Sequence, residues 1–279
     1  MIDGSNLKDR TDSRNGQLLI ITVFKNNLSS LEATLQSISK LEGRVKLILK
    51  NGGKLLSESQ KAKVLSWVRS KNFETVLLEY CDDGVYSAMN QALEHSASNG
   101  FLESVEWVWF LNSGDKLECN SHTNLMELQN VPKSSWMICG DPTVGLSMEF
   151  NETLRIDSYK FLDGSIIIGH QVALFRPEVF YEFGLYDEKK KIVSDYILMH
   201  KILGKSSLTK TSFPTIEYED GGMSRVKLVT QEFEKIIYIW QVFKVTRDGK
   251  LIRLLFCKIT GVIKHIVKSI MKKLWAQVL

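Results

Sequence analysis

Acidic and amide side chains follow several apolar segments in the first half of this 279-residue chain. The clearest case is the turn Asn112-Ser113-Gly114-Asp115, which comes directly after the apolar segment VEWVWFL. A carboxylate on such a turn can hold a divalent cation, because Mg²⁺ binds oxygen ligands and keeps several of its waters. The alternative is an ordinary β-turn in which Asp115 bonds its own backbone. The turn by itself leaves both interpretations open.

The segments around this turn must position it. Strands are predicted over QLLIITVF, RVKLILK, FETVLLEY and VEWVWFL, with a helix after each of the first three. This alternation over about 110 residues predicts an α/β fold with a mostly parallel sheet and helices on both faces. In such sheets ligands bind beyond the carboxyl ends of the strands. The polar clusters TVFKNN, KNGG, CDDG and LNSGD all lie at those ends and predict one shared site.

The second half of the chain has a less regular pattern. The segment SIIIGHQVALFR (165–176) is predicted to be a strand, and a helix is predicted to begin at Asp195. The segment TIEYEDGGMS (215–224) is predicted to be a loop. The sequence contains no internal repeat that would indicate a solenoid.

The composition excludes several classes of protein. Hydrophobic residues make up 44% of the chain and charged residues 24%, close to the globular average, which argues against disorder and coiled coil. The four cysteines lie far apart without a C-x-x-C pair, so neither a zinc site nor a disulfide framework is expected. The N-terminus does not have the pattern of a signal peptide, and no apolar run reaches about 18 residues. These features predict a cytoplasmic protein.

Basic residues are concentrated in the C-terminal part of the chain. Residues 225–279 contain 12 Lys and Arg against 3 Asp and Glu, whereas residues 1–224 contain 24 against 29. On a helical wheel of residues 250–275 the basic side chains share one face and the aliphatic ones the other, as in a helix that lies in a membrane interface. Packing on the preceding domain and a coiled dimer contact are the alternatives. No recognition motif accompanies a basic patch, so no nucleic-acid partner is expected.

Two blocks of sequence resemble the family 2 glycosyltransferases of the GT-A fold. They are DDGVYSAMNQAL (82–93) and FLNSGD (110–115), where bacterial members often read D-x-G-I-Y-D-A-M-N-x-G-[IL] and F-L-N-[SA]-[DG]-D. Further segments are similar to the family in the same order, namely LLIITVFKNNLSSLEATLQSI, KNGG, HQ followed by FR, SDY and GGMS. The resemblance covers residues 17–224 and is nearest to enzymes that build O-antigen, capsule or other bacterial exopolysaccharide.

The resemblance implies a donor site at the ends of the first four strands. Thr22, Val23 and Phe24 would surround the nucleotide base and ribose together with Asn51, and Asp82 would contact the nucleotide or the sugar. The other residues implied at the donor site are Asn90, Ser113 and Gly114. Asp115 would be the last acid of the D-x-D motif and would bind Mg²⁺ or Mn²⁺ against the diphosphate.

The resemblance also implies a catalytic base and a pocket beside it. Asp195 would take the proton from an acceptor hydroxyl as that oxygen attacks the anomeric carbon, which implies inversion at that carbon. His170 and Gln171 would line the acceptor or donor pocket. The alternatives are that Asp195 caps its helix and that His170 is a satisfied core histidine.

Three positions depart from the family pattern. Asn51 stands where an aspartate usually bonds the base or ribose, Ser113 leaves one carboxylate in the D-x-D motif, and Val23 replaces the usual proline. These changes put base selectivity and metal affinity in question. They keep both the last acid and the base, so an active enzyme is expected.

The resemblance therefore implies an inverting, metal-dependent glycosyltransferase that moves one sugar from a nucleotide-diphosphate sugar to a saccharide on a polyprenyl diphosphate. The expected location is peripheral, on the cytoplasmic face of the inner membrane. The expected parts are a polar tail (1–16), a catalytic domain (17–224) with a nucleotide-sugar-binding half (17–120) and an acceptor-binding half (121–224), and a basic helical tail (225–279). Alternative functions are a degenerate sugar-nucleotide-binding module, a nucleotidyltransferase and a membrane-surface scaffold, and a homodimer stays open.

Overall fold

The computed structural model describes most of the chain. The described residues are 17–69, 73–118, 125–140, 148–219 and 228–278. The tail predicted for residues 1–16 and the family-like segment GGMS (221–224) lie outside them.

The chain divides into two compact units. The first comprises Met1–Lys189 and Ser194–Asp220, and the second comprises Lys190–Val193 and Gly221–Leu279. Among the described residues, no helix is both long enough and apolar enough to cross a membrane.

The strands described by the structure belong to the first unit. In chain order they are β1 (Gln17–Phe24), β2 (Arg44–Asn51), β3 (Glu74–Glu79), β4 (Trp107–Phe110), β5 (Lys116–Leu117), β6 (Ser135–Cys139), β7 (Thr153–Leu154), β8 (Ala173–Phe175), β9 (Ser207–Lys210) and β10 (Ile216–Glu217). One sheet has the order β3-β2-β1-β4-β8-β6-β9-β7, and β5 pairs with β10 in a separate antiparallel ribbon.

The large sheet is mostly parallel, as predicted. Strands β3, β2, β1 and β4 are parallel neighbours. Strand β8 runs antiparallel to both β4 and β6, and β9 is parallel to β6 while β7 is antiparallel to β9. The parallel half contains all the strand ends at which the polar clusters were predicted to meet.

Helices cover both faces of this sheet. Those of the first unit are α1 (Leu28–Ile38), α2 (Glu58–Arg69), α3 (Val85–Ser98), α4 (Phe101–Ser104), α5 (Ser158–Asp163), α6 (Glu178–Phe183) and α7 (Ser194–Lys205). The alternating side chains of β1 explain the arrangement, because Leu19 and Ile21 pack in one core cluster with α3, whereas Leu18 and Ile20 pack in another with α1.

The strand predicted over residues 165–176 is wrong for most of its length. Strand β8 covers only Ala173–Phe175, and His170–Val172 form a 3₁₀ turn. The apolar alternation before the turn reflects burial of Ile166 and Ile168 in the core, and the chain then bends after Gly169. The loop predicted over residues 215–224 contains β10, a strand too short for a periodic pattern.

The second unit contains the helical hairpin of α8 (Leu228–Thr246) and α9 (Gly249–Val278). The basic C-terminal tail is therefore helical, as predicted. Glu232 of α8 joins the hairpin through its carboxylate, which lies 3.5 Å from Nζ of Lys258 on α9. The carboxylate of Asp248 accepts the N–H of Lys250 over 2.9 Å and so satisfies one of the free N–H groups at the start of α9.

We expect a pH dependence of stability from His200 on α7. Burial, with the neighbouring charge of Lys201, lowers the pKa of this imidazole from 6.5 to about 4. The unfolded chain binds the proton more tightly, so stability present above about pH 6.5 decreases as the pH falls towards about 4. The free energy of unfolding should drop by about 2 kcal/mol more between about pH 7 and about pH 5 than in His200→Gln. Urea titrations at the two pH values measure the free energy of unfolding of both proteins. An equal decrease in the unmodified protein and in His200→Gln would contradict the prediction.

Candidate functional site

The carboxyl ends of four parallel strands meet at one edge of the sheet. Phe24 pairs with Asn51, and Asn51 pairs with Glu79. The segment after β4 joins the same edge, because the N–H of Ser113 donates to the carbonyl oxygen of Val23 over 3.2 Å. The residues predicted at the donor site from β1, β2 and β4 therefore lie together.

Asp82 is held by a buried lysine that the sequence analysis did not single out. Nζ of Lys50 lies 3.0 Å from Oδ2 of Asp82, 2.6 Å from the carbonyl oxygen of Tyr80 and 3.0 Å from that of Asn51. Lys50 is completely buried, and Oδ1 of Asp82 accepts the N–H of Gly84 over 3.2 Å. The available signal was a lysine within an apolar strand, since a buried cation requires a partner.

The turn after β2 is built around the amide of Asn51. Its Nδ2 donates to the carbonyl oxygen of Lys54 over 2.8 Å, and its Oδ1 accepts the N–H of Gly53 over 2.9 Å. Gly52 leaves room for Asp82, because a Cβ at this glycine would lie 1.8 Å from Oδ2 of Asp82. The side chain predicted to contact the base or ribose thus has bonds within its own turn.

Asp115 is buried at the end of the turn after β4. Oγ1 of Thr34 donates to the carbonyl oxygen of Asp115 over 2.9 Å and accepts the N–H of Gly114 over 2.8 Å. Oδ1 of Asp115 accepts the N–H of Glu219 over 3.1 Å, and the side chain of Gln171 also bonds to the Asp115 carboxylate. Burial raises the pKa of Asp115, and the charge of Glu219 raises it further against these two bonds.

Glu219 is a second carboxylate beside Asp115, and the sequence analysis missed it. The β5–β10 ribbon pairs Glu217 with Lys116 and so brings the following residues over the turn. Gly114 has a φ of +104°, and a Cβ there would lie 2.0 Å from Oε2 of Glu219. Oε1 of Glu219 accepts the hydroxyl of Ser30 over 2.8 Å. No local pattern could reveal this, because the residue comes from a segment predicted to be a loop.

Three polar atoms at this edge are buried without a hydrogen-bond partner among the described residues. They are Oγ1 of Thr22, Oδ1 of Asn112 and Oγ of Ser113. Buried polar groups are normally paired, so unpaired ones indicate a site that a polar ligand completes. Within the part of the chain that the structure describes, no three His, Cys, Asp or Glu side chains converge as a metal site. The carboxylates of Asp115 and Glu219 form the acidic pair at this edge.

Asp195 lies in the first turn of α7, next to α3. Its Oδ1 accepts the hydroxyl of Tyr86 over 2.8 Å and the N–H of the adjacent Tyr196 over 2.7 Å. The helix begins at Ser194, so Asp195 lies inside the helix rather than at its N-cap. Burial and the charge of Asp195 raise the pKa of Tyr86, which therefore stays a hydrogen-bond donor.

His170 is a neutral histidine within the aromatic core. Its Nε2 lies 2.9 Å from the hydroxyl of Tyr186, and its ring stacks on Phe110 with the centroids 5.2 Å apart. Burial lowers the pKa of His170, and the charge of Asp195 partly opposes this effect. This arrangement agrees with the alternative that His170 is a satisfied core residue.

The 3₁₀ turn that contains His170 connects the two acids. The next residue, Gln171, bonds to Asp115 through its side chain, and its carbonyl oxygen accepts Nε1 of Trp109 over 2.7 Å. On the other side, Tyr86 donates to Asp195 and packs against Tyr186, whose hydroxyl lies 2.9 Å from Nε2 of His170. Asp115 and Asp195 are therefore linked to neighbouring residues of one turn, although they are far apart in sequence.

Asn90 joins α3 to the segment before α7. Its Nδ2 donates to the carbonyl oxygen of Tyr186 over 2.9 Å and to the carboxylate of Glu188 over 2.8 Å. Its Oδ1 accepts the N–H of Tyr186 over 2.9 Å. Asn90 was predicted at the donor site, and its amide bridges these two segments.

The fold matches several solved structures, although no family model and no curated protein matches the sequence. TarS from S. aureus has a TM-score of 0.54 at 15% identity, covering 80% of this chain and 65% of that one. The mannosyltransferase PcManGT from Pyrobaculum calidifontis, solved with GDP-Man and Mn²⁺, has a TM-score of 0.56 at 13% identity over 88% of this chain and 69% of that one. GalNAc-T7, solved with UDP, GalNAc and Mn²⁺, has a TM-score of 0.51 at 11% identity over 92% of this chain and 57% of that one.

These matches concern the fold alone, because the identities are low. This chain also spans slightly less than two thirds of the TarS structure. TarS has itself been solved with UDP-GlcNAc. The sheet order, the covering helices and these matches together confirm the GT-A fold predicted from the sequence.

We expect the Lys50–Asp82 pair to be coupled. Lys50→Met leaves a carboxylate in a buried site without its cation, which should lower the free energy of unfolding by about 3–5 kcal/mol. The double variant Lys50→Met/Asp82→Asn should recover part of this loss, because its buried site holds no charge. Urea unfolding measures all three proteins.

The control for this prediction is Lys46→Met on the same strand. Lys46 lies 2.9 Å from Glu74, whose side chain is 58% exposed. Because the carboxylate of Glu74 stays hydrated, loss of this ion pair should cost about 1 kcal/mol or less. Equal losses in the single and double variants at Lys50 would show that the buried pair is not coupled.

Proposed function

We propose that this protein is an inverting, metal-dependent glycosyltransferase of the family 2 type. It moves a single sugar from a nucleotide-diphosphate sugar to a saccharide carried on a polyprenyl diphosphate, in the synthesis of a bacterial surface polysaccharide. The observation that carries the proposal is the position of Asp115 at the strand ends of a GT-A sheet, beside a turn to which Asp195 is linked through Tyr86 and Tyr186. Such edges are where α/β sheets bind their ligands.

The donor site comprises the ends of the parallel strands. The proposed donor-site residues are Thr22, Val23, Phe24, Asn51, Asp82, Asn90, Ser113 and Gly114. The unpaired hydroxyls of Thr22 and Ser113 support this site, because a donor supplies the missing partners. Asn90 and Asp82 contribute by holding the neighbouring segments, since their polar atoms already bond within the protein.

The residues at this edge fit Mg²⁺ or Mn²⁺. Asp115 and Glu219 offer carboxylate oxygens, and such hard cations prefer oxygen ligands. Glu219 supplies the second carboxylate that Ser113 removes from the D-x-D motif. A bound cation would neutralise the charge of the departing nucleoside diphosphate. Burial raises the pKa of Asp115 most, and repulsion by Glu219 raises it further, so a cation would stabilise both carboxylates in their charged form.

Asp195 is the proposed base. Its carboxylate accepts the proton of an acceptor hydroxyl while that oxygen forms a bond to the anomeric carbon and the bond to the diphosphate breaks. One displacement of this kind inverts the configuration. Tyr86 and the N–H of Tyr196 bind Oδ1 and orient the carboxylate. Tyr86 acts as a positioning residue, because it contacts the base and not the reacting atoms.

The proposed organisation follows from these sites. Residues 17–120 bind the nucleotide sugar, residues 121–224 bind the acceptor with His170 and Gln171 near its pocket, and residues 225–279 associate with the inner face of the membrane. A membrane location suits an acceptor that carries a polyprenyl chain. The alternative, a degenerate sugar-nucleotide-binding module, would use the same donor site without transfer.

We expect a nucleotide sugar to raise the melting temperature only when Mn²⁺ or Mg²⁺ is present. A ligand that binds the folded state alone stabilises it by mass action, by about 3 kcal/mol at a hundredfold excess over Kd. UDP-, GDP-, CMP- and dTDP-sugars are tested by thermal shift with and without the metal. Asp115→Ala and Glu219→Gln should each raise the apparent Kd of the metal-dependent donor binding at least about tenfold.

The matched control is Glu217→Gln, two residues before Glu219. Glu217 is bound to Lys116 at the surface and should leave the shift unchanged. A metal-dependent shift that survives in Asp115→Ala would remove that residue from the proposed metal site. The absence of a shift with every donor would contradict the donor site itself.

We expect Asp195→Asn to abolish transfer while donor binding persists. General-base assistance contributes about 10² to 10⁴ in rate, so kcat should fall by that factor. Tyr86→Phe should lower kcat about tenfold or more, because it removes a hydrogen bond to a charged group, and should leave donor KM unchanged. Transfer is measured with radiolabelled donor and a lipid-linked acceptor, and donor binding by thermal shift.

Tyr181→Phe is the control for this pair of variants. The hydroxyl of Tyr181 donates to the carboxylate of Glu103 over 2.7 Å, so the same kind of bond is removed elsewhere. This variant should keep its kcat. Undiminished transfer by Asp195→Asn would exclude Asp195 as the base, whereas intact donor binding without transfer in the unmodified protein would favour the binding module.

A further inference from the structure

Helix α9 has an exposed apolar stripe along most of its length. Phe256 is 67% exposed, Ile263 is 54% exposed and Val267 is 53% exposed. The stripe is completed at helical spacing by Ile252, Ile259 and Ile270. From Ile252 to Ile270 it extends about 27 Å, since a helix rises about 1.5 Å per residue. We call these six residues the outer stripe.

The outer stripe is distinct from the buried face of α9. Leu251, Leu254, Leu255 and Val262 are buried and lie on another side of the same helix. One apolar face of α9 is therefore buried and a second is exposed. Exposed apolar surface of this extent marks an interaction site.

Basic side chains border the outer stripe. Arg253, Lys264 and Lys268 are exposed, and on the helical wheel they follow directly after the stripe. Within α9 the sequence contains seven Lys and Arg and no Asp or Glu. An exposed apolar stripe beside a face whose charged residues are all basic is the pattern of a helix that lies in the plane of a membrane interface.

We propose that the outer stripe of α9 inserts into the interface of an anionic lipid bilayer. The apolar side chains enter the boundary between headgroups and acyl chains, and the bordering lysines and arginine contact anionic headgroups. The charge of α9 favours this occupant over a second copy of the chain. Two copies of the stripe would bring six bordering cations together, and the sequence of α9 contains no acidic residue to offset them.

The proposal defines the membrane contact of the proposed enzyme, but it can fail without affecting the transfer reaction. Vesicle binding is measured without donor or acceptor, and the donor site is tested separately by thermal shift. Each result therefore bears on one proposal only.

The experiment is flotation of the full-length protein with vesicles of phosphatidylglycerol and phosphatidylcholine, compared with pure phosphatidylcholine. The stripe variant is Phe256→Ser/Ile263→Ser, and its partition coefficient should fall at least about tenfold because apolar burial is lost. The basic variant is Arg253→Gln/Lys264→Gln/Lys268→Gln. It should bind the anionic vesicles about a hundredfold more weakly, because each of the three lost charges should lower the affinity about fivefold.

The matched control is Leu55→Ser/Ile167→Ser in the first unit. These side chains are 74% and 53% exposed, so the control removes similar exposed apolar surface elsewhere. It should bind vesicles like the unmodified protein. Circular dichroism of every variant tests whether the helices are retained, and the basic variant provides a second test of the surface if the stripe variant loses helix.

Three results would overturn the proposal. The first is failure of the full-length protein to float with anionic vesicles. The second is unchanged binding by both the stripe variant and the basic variant. The third is self-association of the unmodified protein, measured by sedimentation velocity, that disappears in the stripe variant when the unmodified protein does not bind vesicles. That result would assign the stripe to a contact with a second copy of the chain.

Discussion

The parallel pairing of β1 with β2 and β4 is the constraint on which the site depends. Parallel strands end at the same edge, so three separate turns must meet there. Backbone bonds between those turns, from Gly52 to Phe24 and from Ser113 to Val23, continue the order of the sheet into the loops. Helices α1 and α3 bury the apolar side chains of β1 on its two faces. This burial opposes a change of strand register that would separate the polar groups at the strand ends.

Negative charge is concentrated at this edge and only partly compensated. Lys50 neutralises Asp82 within the protein, whereas Asp115 and Glu219 have hydrogen-bond donors but no cationic partner among the described residues. The same fold thus contains one carboxylate that is neutralised within the structure and a pair that is not. Burial increases the effect of an unpaired charge, because its free-energy cost rises as the surroundings lose water and become less polar.

The sequence predicted features that depend on local order, and it failed where distant segments meet. Asp82 and Asp115 follow apolar strands, so their position at the edge could be inferred from the alternation of strands and helices. Glu219 reaches the same place only through the β5–β10 ribbon, whose strands have two residues each. The strand predicted over residues 165–176 failed because an apolar alternation records burial, and burial alone does not require an extended chain. The donor, base and membrane assignments stay predictions.

The short turn at His170 and Gln171 restricts how this sequence can diverge. One residue bonds to Tyr186 and stacks on Phe110, and the next bonds to Asp115. An inserted or deleted residue here would rotate both side chains away from their partners at once, whereas a point substitution can be compensated locally. Among distant relatives, gaps in an alignment should therefore avoid this turn, even where scarcely any side chain is shared.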